Sequence, residues 1–175
     1  MKRAQLEHIL RAAGTIADDM DIVVVGSQAV LGSVPDPAAA MLVSMEADVY
    51  PRNHPERADL IDGSIGEGSP FHATFGYYAQ GVGPETAKLP AGWEARLIPL
   101  KTEATRGVTG WCLEVHDLLA SKIVAGRAKD VEYLRHALES GIVERDVLLA
   151  RVRSVPIDPE TRRAAEGRLR AAFEA

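Results

Sequence analysis

Three groups of residues in this 175-residue chain have types and spacings suited to chemistry on a phosphate. Glu46 and Asp48 stand one residue apart, so along an extended strand both carboxylates leave the same face, about 6.6 Å apart at the backbone. Side chains of that reach can converge on one or two divalent cations, and hard oxygen donors suit magnesium. Acidic residues also decorate ordinary solvated strand faces. Here Met41-Leu42-Val43 before the pair and Val49-Tyr50-Pro51 after it point to an embedded strand. Gly26-Ser27 closes a β-branched run, Ile22 to Val25, and leads into Gln28-Ala29-Val30-Leu31, which reads as the first turns of a helix. Backbone N–H groups at such a start bind phosphate, and glycine allows close approach. Taken alone, the same dipeptide is more often a plain structural turn.

Lys122 is the third candidate. On a helix beginning at Val115, a rotation of about 100° per residue gathers Leu118, Val115, Leu119 and Ile123 into one apolar arc. Lys122 falls inside that arc. An ammonium there needs a buried anionic partner or a phosphate, unless its long stem carries it out to water. Arg127, Lys129 and Asp130 follow Gly126, where a kink would bring them beside Lys122.

Other chemistries find little support. The five histidines, His8, His54, His72, His116 and His136, have no metal-ligand spacing and read as surface or capping residues; His72, beside Phe71, is the one to watch. The single cysteine, Cys112, excludes an intrachain disulfide and sits in an apolar run, as a buried inert thiol would.

The elements that must position these groups follow from periodicity. Residues 2–19 read as an amphipathic helix, 22–25 as a buried strand, 33–40 as a loop, 41–51 as a second strand and 55–62 as a helix with proline in its first turn. Residues 63–92 are rich in glycine and proline with Phe71, Phe75, Tyr77 and Tyr78 interspersed. They read either as a functional loop or as an irregular hairpin that plugs the core with aromatics, around one short strand. Residues 96–101 and 108–113 read as strands, and 115–126, 128–139, 144–153 and 159–173 as helices. The expectation is one α+β domain over 1–175, a small mixed sheet flanked by helices over 1–114 and a helical part over 115–175.

Composition bounds the partners. Apolar residues make up 46%, no apolar run approaches the ~20 residues of a membrane span, and residues 1–8 turn charged and amphipathic at once, so a soluble cytoplasmic protein is expected. The net charge of -5 argues against a general nucleic-acid coat or a polybasic membrane binder.

Taken in order, Ile22-Val23-Val24-Val25-Gly26-Ser27, Glu46-Ala47-Asp48 and the segment Leu118 to Asp130 resemble the nucleotidyltransferase superfamily with the polymerase-β-like fold. Within it the likeness is to small bacterial proteins related to AbiEii-type abortive-infection toxins. The resemblance implies that Gly26 and Ser27 hold an NTP and that Glu46 and Asp48 hold Mg2+. It also implies that Lys122 contacts phosphate, with Arg127 and Asp130 completing or bracing the site. Glu94 is the positional candidate for a third carboxylate, with Asp130 competing. The implied reaction is transfer of NMP to an RNA or protein acceptor, with an antitoxin protein as a further partner. Two features depart from the family pattern: glutamate in place of aspartate at position 46, and a longer gap from Ser27 to Glu46. Both also fit a silent relative that keeps the fold to bind nucleotide or a protein partner, and ordinary ion pairs in an interaction domain are the third reading.

Overall fold

The computed structural model describes residues 1–174. Five strands form one mixed sheet: β1 (Asp21–Val25), β2 (Glu46–Pro51), β3 (Tyr78–Gly81), β4 (Ile98–Leu100) and β5 (Thr109–Cys112). Their order across the sheet is β3-β2-β1-β5-β4, with β1 antiparallel to β2, parallel to β5 and therefore central. β3 runs parallel to β2, and β4 antiparallel to β5. Central placement explains the unbroken run Ile22-Val23-Val24-Val25, all four buried.

Helix α1 (Arg3–Ala17) buries Leu6, Ile9, Leu10 and Ala13 and packs on α3 (Ala58–Ile65) and the central strands. After β1 comes a 3-10 turn, Ser27–Ala29, and a single α-turn, α2 (Val30–Ser33). That is shorter than the helix expected from Gln28, because the chain turns extended at Val34 before Pro35. The strand expected over 41–51 begins only at Glu46; Ala39–Leu42, alanine-rich and without β-branching, coils into a 3-10 turn. The strand expected over 96–101 is likewise confined to 98–100, because Trp93–Arg96 is a 3-10 turn that delivers Arg96 to a buried acid.

The glycine-rich 63–92 stretch is more ordered than one short strand in a loop. Ser69 caps α4 (Pro70–Phe75) by accepting from the His72 N–H, and β3 follows. Period-2 alternation then divides its aromatics. Tyr77 joins Phe71 and Phe75 around His8 of α1, with His8 Nδ1 and the Tyr77 hydroxyl 2.8 Å apart. His8 is therefore part of this cluster and not a surface residue.

The helical part consists of α5 (Val115–Ala125), α6 (Ala128–Glu139), α7 (Arg145–Ser154) and α8 (Pro159–Glu174). Helix α5 touches the other three and also α2 and the Ser27 turn, so it joins the helical part to the sheet. Glu114 caps it, accepting from the His116 and Asp117 N–H groups. His116 is buried, contrary to a surface reading, and its Nε2 accepts from the Glu144 N–H at the start of α7. Cys112 is fully buried, which pushes its thiol up to about 12.

One buried acid ties these parts together. Asp117 on α5 is fully buried, accepts from Arg96 Nε (2.8 Å) and Nη2 (2.9 Å), and lies 3.1 Å from Arg151 Nε of α7. Asp117→Asn keeps the shape but leaves two guanidinium groups facing a neutral partner. It is expected to destabilise the fold by about 3 kcal/mol, the low end for a broken buried pair because both arginines keep some water contact; urea unfolding measures it.

Candidate active site

The end of β1, the start of β2 and the α5–α6 corner surround one cavity of about 630 Å³. Its walls include Gly26, Ser27, Glu46, Asp48, Lys122, Arg127 and Lys129. Residues as far apart in the chain as Gly26 and Lys129 thus share a single site.

Two different devices position the two sides. On the helical side, Gly126 ends α5 in the left-handed region (φ 65°), turning the chain at once into α6. Lys122, in the last turn of α5, then lies beside Asp130 in the first turn of α6. Lys122 Nζ donates to Asp130 Oδ1 (3.3 Å) and to Ser27 Oγ (2.9 Å), and sits 4.4 Å from the centre of the Tyr133 ring. Arg127 adds a fork onto the same carboxylate, Nε to Oδ2 at 2.6 Å and Nη2 to Oδ1 at 3.2 Å. The Tyr133 hydroxyl donates to the Ser27 carbonyl (2.8 Å), fixing the turn from below. Lys122 is 8% exposed and Asp130 0%. Burial lowers the Lys122 ammonium from its ordinary value, against the pull of Asp130. Burial also works against the Asp130 charge, but Arg127 and Lys122 outweigh it and hold that carboxyl low.

On the sheet side, Glu46 and Asp48 alternate along β2 with the buried Ala47 and Val49 between and after them, so they share a face. Asp48 pairs in register with Val25, next to Gly26. Gly26 has φ 68°, and a Cβ there would stand 1.9 Å from Asp48 Oδ2. Only glycine leaves room for that oxygen. Burial, and secondarily Glu46, push the Asp48 carboxyl up to about 6; Lys122, Lys129 and Arg127 offset this only in part. Its charge is thus poorly compensated by the protein alone. Glu46 is held by Tyr78, its cross-strand neighbour on β3, whose hydroxyl donates to Oε2 (3.0 Å). Burial and this bond raise the Tyr78 phenol to about 12, and its ring packs 4.6 Å from that of His72.

The expected residues therefore divide. Gly26, Ser27, Glu46, Asp48, Lys122 and Arg127 meet at the cavity. Asp130 lies behind it, its oxygens occupied by Lys122 and Arg127, so it braces and is not free as a third carboxylate. Glu94 is not brought in: it belongs to the Trp93–Arg96 turn, where its charge helps, after burial, to raise the Tyr50 phenol. Among the described residues no cluster of three or more His, Cys, Asp or Glu side chains converges; Glu46 and Asp48 are the pair that could hold a metal. Sequence reasoning missed Tyr78 and Tyr133. Tyr78 was legible only through strand register, and Tyr133 only as the position one helical turn beyond Lys129-Asp130.

A family model described as "Nucleotidyltransferase of unknown function (DUF6036)" matches residues 4–166. No curated protein and no solved structure matches the chain.

The raised Asp48 carboxyl sets a pH signature. Between about pH 4 and pH 6 the folded state holds a proton that the unfolded chain releases, so stability falls as pH rises through that window. In metal-free buffer, Asp48→Asn is expected to be more stable than the parent by about 3 kcal/mol at pH 7.5, the difference vanishing near pH 4. Urea midpoints of both proteins across that range check the slope.

Proposed function

The chain belongs to this nucleotidyltransferase family, and from that premise we propose that it transfers an NMP unit from an NTP to a hydroxyl of an RNA or protein acceptor, with magnesium as cofactor. The observation that carries the reading is the division of charge across one cavity: two carboxylates on β2, against Lys122, Arg127 and Lys129 at the α5–α6 corner. A nucleoside triphosphate with its divalent cation has the complementary division.

Glu46 and Asp48 would hold the magnesium ion. Two carboxylates fit, because this ion keeps several waters and takes phosphate oxygens as further ligands. The shared face of the two carboxylates and the poorly compensated Asp48 charge support the fit. When bound, the ion supplies neutralisation of charge on the transferred phosphate. The chain's own groups do the rest. Ser27 and Lys122 present donors on the cavity wall, and Arg127 adds a fixed cation for the β- and γ-phosphates. The acceptor oxygen forms a bond to the α-phosphorus while the bond from that phosphorus to the α,β-bridging oxygen breaks. Pyrophosphate leaves with the electron pair, its charge met by Lys122 and Arg127, and the acceptor proton passes to water. Asp130 keeps Lys122 charged and aimed despite burial.

Purified protein should be stabilised by NTP and Mg2+ together, by about 2.7 kcal/mol at a hundredfold excess over Kd, and should move label from an α-labelled NTP onto an acceptor in bulk cellular RNA or protein. Asp48→Asn is expected to lower that transfer by more than about 100-fold while the fold persists; equal transfer by parent and variant would remove Asp48 from the mechanism. A toxin role beside an antitoxin, as the AbiEii-type likeness implies, would appear as growth arrest on expression that Asp48→Asn relieves.

Tyr78→Phe takes one donor from Glu46. The magnesium concentration for half-maximal transfer should rise about 10-fold, with a small fall of the thermal midpoint in metal-free buffer.

A further inference from the structure

A second chamber of about 440 Å³ adjoins the first. Ser27, Glu46, Lys122 and Lys129 line both, so the two chambers meet at those residues. Their charges differ. The first sets Lys88, Lys122, Arg127 and Lys129 against Glu46 and Asp48, an excess of cations that a divalent ion on the carboxylate pair would increase. The second sets Lys122 and Lys129 against Glu46 and Glu132, which balance. Lys122 and Arg127 also share the Asp130 carboxylate, so part of their charge is met within the protein. Lys88, from the connection after β3, borders the first chamber alone. A polyphosphate is therefore drawn to the first chamber, and the second suits a group without net charge.

The walls of the second chamber fit such a group. Met41 and Val43, from the connection that precedes β2, supply apolar surface, and Val43 is 78% exposed. A lone exposed valine is ordinary. This one lies on a concave chamber whose other walls include two rings, Tyr133 and His136. The Tyr133 ring is fixed by its hydroxyl on the Ser27 carbonyl (2.8 Å), and the His136 imidazole stands 3.2 Å from Glu139. Glu132 adds an acceptor for N–H groups at the edge. A nucleoside has this chemistry: flat apolar faces, a polar edge and no net charge. The chamber's volume lies within the ~300–1,000 Å³ of small-molecule sites.

We propose that the second chamber is the nucleoside subsite, with the triphosphate tail running through the first chamber toward Lys88. The inference deepens the transferase reading above and rests on it. The base lies between the Met41–Val43 segment and the His136 imidazole. The α-phosphate, which joins the nucleoside to the tail, then falls where the chambers meet. There stand Ser27, Glu46 and Lys122, the groups that the transfer reaction uses.

The test is calorimetric titration of the full chain in Mg2+. It compares the tightest-binding of ATP, GTP, CTP and UTP with inorganic tripolyphosphate, which keeps the tail and lacks the nucleoside. The NTP is expected to bind about 10-fold more tightly. The double variant Val43→Ser/His136→Ala should raise the Kd for the NTP about 10-fold and leave that for tripolyphosphate unchanged. Lys88→Ala should weaken both ligands by the same factor. A double variant that binds the NTP as the parent does, or that weakens both ligands alike, overturns the inference. So does a parent with equal affinity for the two, or a Lys88→Ala protein that binds both as the parent does. A double variant that keeps its NTP affinity and instead raises the KM for an acceptor gives the chamber to the acceptor, which also overturns it. A parent that binds neither ligand removes the transferase reading beneath it.

Discussion

A buried ammonium organises this molecule. Lys122 lies in the apolar arc of α5, where an unpaired charge would cost several kcal/mol of desolvation. Asp130 offsets part of that cost, and it can do so only because Gly126 folds α6 back onto the end of α5. Arg127 uses the second carboxylate oxygen, and Arg168 of α8 lies over Gly126 while donating to the Ile123 carbonyl (3.0 Å). A second donor of Lys122 reaches Ser27 on the sheet side. One charge thus fixes a helix corner, a turn and the seam between the two parts of the chain. Such a pair adds little net stability compared with apolar packing, but its geometry is specific. Removing either partner would leave the other buried alone.

The sheet side is built on the opposite arrangement. There the protein leaves charge under-compensated: Asp48 is buried beside Glu46, and the cations facing it act only through space. Repulsion between the two carboxylates is held in place by β-ladder hydrogen bonds and by Tyr78. Paired cations on one wall and under-compensated anions on the other make a cavity whose field suits a ligand carrying both signs. Neutral substitutions would make the fold easier to maintain and abolish that field. This follows the general pattern in which local instability collects at functional sites.

The helical part was legible in the sequence nearly to the residue, because 3.6-residue periodicity and the Asp158-Pro159 start signal act locally. The Lys122 corner was legible for the same reason: a charge in an apolar arc followed by Gly126 is a local contradiction with few resolutions. The sheet was harder. The length of β2 was overestimated because Met41-Leu42-Val43 is as apolar as a strand, yet it coils and lines a chamber. Tyr78 could not be assigned from spacing, since its link to Glu46 depends on a register between strands 32 residues apart. Glu94 failed as a positional candidate because proximity to a strand start says nothing of which side a 3-10 turn presents.

The long connection from Ser27 to Glu46 gains a physical meaning from its place in the fold. Met41, Val43 and Ser44 of this connection line a chamber of about 440 Å³ that Glu46 also borders. Ser44 also holds the approach to the strand, its Oγ accepting from the Glu46 N–H (3.2 Å) and its carbonyl from the buried Gln28 (3.2 Å). These residues therefore shape what stands next to the acidic pair without altering the pair. Fold sets where phosphate and metal chemistry can occur, and connections of this kind set which molecule meets it. In this chain Ser27, Glu46, Asp48 and Lys122 meet at one cavity, and Met41 and Val43 of the connection line the chamber beside it together with Glu132 and His136 of α6.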